Sequence, residues 1–119
     1  MSNRLTSAIF VAAVIRNVNS TGGFATVLRH GSDEAGAIFI CVPAGPGAGT
    51  TLYAQAPQSM FTDNDRPFVG GRLFERVGEG LADDELAEKF AREARMDPDF
   101  WVVELDLFGK QASDYFDIA

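Results

Sequence analysis

The chain has 119 residues and carries 10 Lys and Arg against 17 Asp and Glu, a net charge of −7. The length suits a single domain that buries its own core, and a hydrophobic share of 46% excludes a disordered chain. The basic residues are scattered, from Arg4 to Lys110, so neither a nucleic-acid backbone nor an anionic lipid surface meets a basic face.

Cys41 is the only cysteine, so no intrachain disulfide forms and nothing implies an oxidising compartment. The longest apolar run, Ala8 to Ile15, is too short to span a bilayer, which takes about 20 residues. Only Arg4 supplies positive charge before that run, and no clear cleavage pattern follows it. It therefore reads as structure, and the expected location is the cytoplasm.

A helix is predicted from Thr6 to Asn19. Thr6 or Ser7 caps it, and Ala8, Val11, Ala12, Ile15 and Val18 form its apolar stripe, widened by Ile9 and Ala13. Gly22-Gly23 ends it. Strands follow at Phe24–His30, Ala37–Val42 and Thr51–Ala56. Ala37–Val42 has no polar alternation, which marks a strand covered on both faces. Gly31 to Gly36 is rich in turn formers and reads as a hairpin connection. Pro43 to Gly49 reads as a loop. Pro57 to Gly71 is full of chain breakers and reads as irregular, and Arg72–Val77 reads as a fourth strand.

The second helix runs from Asp84 to Arg95, with Asp83 as its cap. Leu86, Phe90 and Ala94 make a narrow apolar face, and Glu85–Lys89 and Glu88–Arg92 are expected i,i+4 pairs. Pro98 stops the helix. The last strand runs from Trp101 to Leu107. Its odd residues face one way, with Val102, Glu104 and Asp106 facing the other. The order α-β-β-β-β-α-β predicts an α+β fold: a small, mostly antiparallel sheet with both helices on one face. Residues 1–108 are expected to form the domain. Residues 109–119 are expected to be a tail, either disordered or an edge strand.

Four segments carry a family resemblance. They are Phe10-Val11-Ala12-Ala13-Val14-Ile15-Arg16; Arg29-His30-Gly31 with Glu34-Ala35-Gly36-Ala37-Ile38-Phe39; Leu52-Tyr53 with Ala56-Pro57; and Asp97-Pro98-Asp99-Phe100-Trp101-Val102-Val103-Glu104. Together they resemble short alphaproteobacterial proteins of domain-of-unknown-function family 1491, over nearly the whole chain. The last segment is the most specific. The resemblance implies a stand-alone cytosolic domain with no established activity, cofactor or catalytic residue.

The candidate sites each have a plain structural alternative. Gly45-Pro46-Gly47-Ala48-Gly49-Thr50-Thr51 has the glycines of a phosphate loop but no lysine, so a hairpin loop is the better reading. One His and one Cys cannot build a zinc site, and no metal or cofactor is expected. His30 is a candidate general base set against an ordinary turn residue. Cys41 reads as a buried core thiol. Asp63-Asn64-Asp65 lacks the glycine of a calcium loop and reads as a turn. Asp97, Asp99 and Glu104 form one acidic group around the specific segment, with Trp101 as a core anchor. Glu104-Leu105-Asp106-Leu107-Phe108 is similar to the pentapeptide that docks bacterial proteins onto the replication sliding clamp, with Glu in place of Gln.

The expected function is a non-catalytic protein-binding or assembly module, self-association included. The alternatives are a small enzyme or ligand-binding domain built on Asp97 and Asp99 with His30, and clamp docking through Glu104–Phe108.

Overall fold

A computed structural model describes residues 5–56 and 71–119. In chain order the elements are α1 (Ser7–Ser20), β1 (Phe24–Arg29), β2 (Ala37–Pro43), β3 (Thr50–Gln55), β4 (Leu73–Leu81), α2 (Asp83–Met96) and β5 (Phe100–Asp106). A short 3-10 helix (Ala112–Asp114) and β6 (Asp117–Ile118) follow. The predicted irregular stretch lies almost wholly outside the described residues, and Asp63-Asn64-Asp65 lies wholly outside them. No helix among the described residues is long and apolar enough to cross a membrane.

The fold is α+β, but the sheet is mixed rather than mostly antiparallel. Its order is β1-β5-β2-β3-β4-β6. β5 runs antiparallel to β1 and parallel to β2, and β6 runs parallel to β4. The cause is the insertion of β5 between β1 and β2. Gly31–Gly36 is therefore not a hairpin turn but a bridge over the start of β5.

The helices also lie on opposite faces, not on one. Successive strand residues point to opposite sides of a sheet. Ile38, Ile40, Trp101, Val103 and Leu105 pack with Phe10, Val11, Val14 and Val18 of α1. Phe39, Cys41, Phe100 and Val102 point the other way, with Leu86, Phe90 and Ala94 of α2 packed against them. The all-apolar β2 is thus covered on both sides, and so is the first half of β5.

In α1, Thr6 caps the helix, its hydroxyl accepting from the Ile9 N–H at 3.3 Å. The buried stripe is Ser7, Phe10, Val11, Val14 and Val18. It is rotated from the predicted one: Ala12 and Ile9 face solvent. Both stripes fit helical spacing, and the bulk of Phe10, stacked on Phe74 at 5.6 Å between centroids, selects the observed one. Gly22, at φ 92°, turns the chain out of the helix.

α2 begins one residue earlier than predicted. Ala82 is its N-cap, Asp83 stands in the first turn, and the Glu85 carboxylate accepts from the Ala82 N–H at 2.9 Å. Glu88 pairs with Arg92 at 3.0 Å, whereas Lys89 pairs with Glu93 rather than Glu85. Every residue of α2 keeps some exposure.

Two further parts close the α1 side. Arg72 is buried, and its guanidinium donates to the Gln55 Oε1 at 3.0 Å and the Leu5 carbonyl at 2.9 Å, tying β3 to the approach to α1. Beyond Gly109, Tyr115 and Phe116 return to the core, and β6 pairs with β4 as an edge strand.

Candidate functional site

Four of the five sequence-derived candidates meet at the bridge over β5. Both oxygens of Asp99 accept from Ser32, from its N–H at 2.6 Å and its hydroxyl at 2.8 Å. The Trp101 indole N–H donates to the Ser32 carbonyl at 2.9 Å. Asp97 accepts from the Asp99 N–H at 3.0 Å, a local turn bond. His30 lies against Trp101 at 3.9 Å between ring centroids. Among the described residues its nearest carboxylate is Asp33, at 4.0 Å and exposed, rather than Asp97 or Asp99.

The bridge also holds α1. The Ser7 and Ala8 N–H groups donate to the Glu34 and Asp33 carbonyls, and the Ser7 hydroxyl donates to the Gly36 carbonyl at 2.6 Å. Those are orphan donors of a helix N-terminus, satisfied here by a loop. Gly31 allows the close fit, since a Cβ there would stand 2.6 Å from Cδ1 of Trp101. The Asp-Pro-Asp-Phe-Trp segment is thus a staple joining loop, strand and helix.

The Ser32 N–H and hydroxyl hold the Asp99 carboxyl below the usual carboxylate range. A depressed folded-state pKa means that the ionised form favours the fold. Its contribution is complete above the unfolded value and fades as pH falls through the folded one. Asp99→Asn is therefore expected to speed exchange of the Ser32 amide at neutral pH. In the wild type the same amide should lose protection only in acid below the usual carboxylate range, read by NMR titration.

Glu104, the fifth candidate, is on the opposite face. There a groove runs between β1 and α2. A cavity of about 340 Å³ has Leu28, Leu86, Phe90 and Val102 as apolar lining, with Asp83 and Glu104 at its polar part. A second cavity, of about 550 Å³ under the β2–β3 loop, shares Asp83 and Glu104. Glu104 is half-buried, and among the described residues no hydrogen bond or ion pair reaches its carboxylate or that of Asp83. Cys41 also lines the groove, but burial first, and the Glu104 charge second, push its thiol up to about 12. Such a thiol stays protonated at neutral pH and is no nucleophile. Arg29 is the cation of the smaller cavity. It is engaged elsewhere, 4.1 Å above the Phe100 ring and donating to the Pro98 carbonyl at 2.8 Å.

The remaining motifs fall into place around this groove. The glycine-rich loop connects the antiparallel pair β2 and β3, closed by the Ala44 N–H to Gly49 carbonyl bond at 2.9 Å. Gly49 has φ 75°, and a Cβ there would stand 2.5 Å from the Gly80 backbone, so the glycine serves close packing. The clamp-like segment is not a free peptide. Leu105 is wholly buried, Glu104 is paired in β5, Leu107 is buried, and Asp106 and Phe108 are exposed, Phe108 at 69%. Sequence reasoning missed Asp83, Leu28 and Leu86 as groove walls. The available signal was Glu104 itself, a charge that follows Phe100 and Val102 on one strand face before the exposed end at Asp106.

These features define a layered helix–sheet–helix protein, with a stapled bridge on one side and an acidic, part-apolar groove on the other. Residues 5–113 match the family described as protein of unknown function (DUF1491), and the chain belongs to that family. It is similar to the solution structure of protein Atu0922 from A. tumefaciens, a structural-genomics target. That likeness has 36% identity and a TM-score of 0.78, over 98% of this chain and 95% of that one. It is also similar to a DUF1491 family protein from Caulobacter crescentus CB15, solved as a crystal structure. There the identity is 28% and the TM-score 0.72, over 97% of each chain. No curated protein matches the chain.

Proposed function

We propose that this protein is a non-catalytic cytoplasmic binding module whose β1–α2 groove takes a basic, apolar-flanked segment of a protein partner. The observation that carries the reading is Glu104: a half-buried carboxylate without a partner among the described residues, facing an apolar trough, with Asp83 beside it. A partly desolvated charge left unpaired favours a ligand of opposite sign, and such complementarity sets both specificity and encounter rate. The net charge of −7 acts in the same direction.

An acid–base enzyme has less support. His30 rests on Trp101, which packs on the α1 side, while Glu104 faces α2. The Asp99 carboxylate is spent on Ser32.

The test is affinity capture from an alphaproteobacterial lysate, using wild type, Asp83→Lys and Glu104→Gln as baits. The expected result is a basic partner held by the wild type and reduced at least tenfold by either substitution. Equal capture by all three baits, or a retained metabolite with no partner, overturns the reading.

A further inference from the structure

We infer that the partner segment enters as an added β-strand on the outer edge of β1, which no described residue pairs, with alternate side chains dropping into the groove; this rests on the groove reading above. The first argument is position. One wall of the smaller cavity is β1 itself, through Leu28 and Arg29, so a segment laid along β1 has its side chains beside the groove.

The second argument is the edge itself. Proteins blunt edge strands by keeping them short or by placing Lys, Pro or bulges on them. The β6 edge is two residues long. β1 runs for six residues, Phe-Ala-Thr-Val-Leu-Arg, with neither Lys nor Pro. Phe24, Val27 and Leu28 are 65%, 38% and 56% exposed. Its one charge, Arg29, is drawn inward over Phe100, and its one bulge lies at the far end, between Val27 and Arg29. Leu28 and Arg29 line the smaller cavity, so edge and groove are continuous.

The third argument is reach. Thr26 is the register partner of Glu104, and Phe24 that of Asp106. A strand added to β1 would stand two strand spacings from Glu104, about 10 Å. A Lys opposite Thr26, passing over that small side chain, spans this distance together with the Glu side chain. An apolar residue two positions along would meet Leu28 or Phe24. The occupant is thus an extended segment alternating Lys or Arg with apolar residues on its α2-facing side. A second copy fits less well, since β1 offers only the engaged Arg29.

The probe is a synthetic heptapeptide with Lys and Val placed for strand alternation, compared with an isomer of the same composition at helical spacing. The strand isomer is expected to bind and to slow exchange of alternate β1 amides at least tenfold. Val27→Lys, which charges the edge on the face away from the groove, should abolish both effects. Asp83→Lys should weaken binding and leave the edge intact. The inference is overturned if neither peptide protects β1, or if β1 is already protected in a dimer seen by light scattering. It is also overturned if Val27→Lys captures the cellular partner as well as wild type while Asp83→Lys does not. That last outcome leaves the groove reading standing, whereas undiminished capture by both variants removes it too.

Discussion

Deleting residues 110–119 is expected to leave a chain that does not hold its fold. Those residues carry Tyr115 and Phe116, which are 6% and 1% exposed. The Phe116 ring meets Phe74 and Tyr53 edge-on, each at 5.2 Å between centroids. The Tyr115 hydroxyl bonds to Thr21 at the end of α1, and the Ala119 N–H donates to the Phe74 carbonyl at 2.7 Å. Truncating one buried aromatic to Ala costs about 3–5 kcal/mol, so removing both costs roughly twice that. A domain of this size has about 6–18 kcal/mol in total. The deletion consumes most of that stability and exposes Phe74, which the structure keeps wholly covered. Near-UV circular dichroism and urea unfolding should show a lost or shallow transition. Phe116→Ala should remain folded, with its midpoint lowered by an amount equivalent to about 3–5 kcal/mol. A deletion variant as stable as the full chain would show that the tail does not pack as described.

Trp101→Ala should have the next largest effect, also about 3–5 kcal/mol. The ring is 3% exposed, set between Gly31 and Gly36, covered by His30 and bonded to the Ser32 carbonyl. Its loss leaves a cavity and also unpins the bridge that receives the first N–H groups of α1. The damage should spread to α1, with faster amide exchange over its first turn. Trp101→Phe keeps most of the ring and loses the indole donor, so it should cost about 1–2 kcal/mol. Partner capture by Trp101→Phe should match the wild type, because the groove lies across the sheet. A variant that kept its stability but lost its binding would place function at the staple after all.

The local elements were legible because their signals are local. Thr6 caps α1, Gly22 ends it, Pro98 limits α2, and the apolar runs of β2 and β5 predict strands within a residue or two of those observed. Strand order was not legible, because Gly31–Gly36 has the chemistry of a hairpin turn whether or not a strand passes beneath it. Long-range pairings distinguish the two cases: β5 with β1 and β2, and Ser32 with Asp99. The placement of α2 follows from that same insertion. The α1 stripe was ambiguous because alanines and valines at helical spacing allow two faces, and the partner ring Phe74 lies far along the chain. The candidates Asp97, Asp99, Trp101 and His30 share one locality, but the structure gives them a stapling role. The groove draws on β1, β2, α2 and β5, and no periodicity within any one of these reports the others.

The insertion of β5 also has a consequence for biosynthesis. Ser32 and Asp99 stand 67 residues apart, so a growing polypeptide presents β1 and β2 long before the strand that joins them exists. Until then the most apolar segment, Ile38 to Cys41, has one flank vacant, an adhesive surface for neighbouring nascent chains. Fast translation through Phe100–Asp106 and holdase protection of the early product should therefore raise the soluble yield more than any change to the N-terminal half.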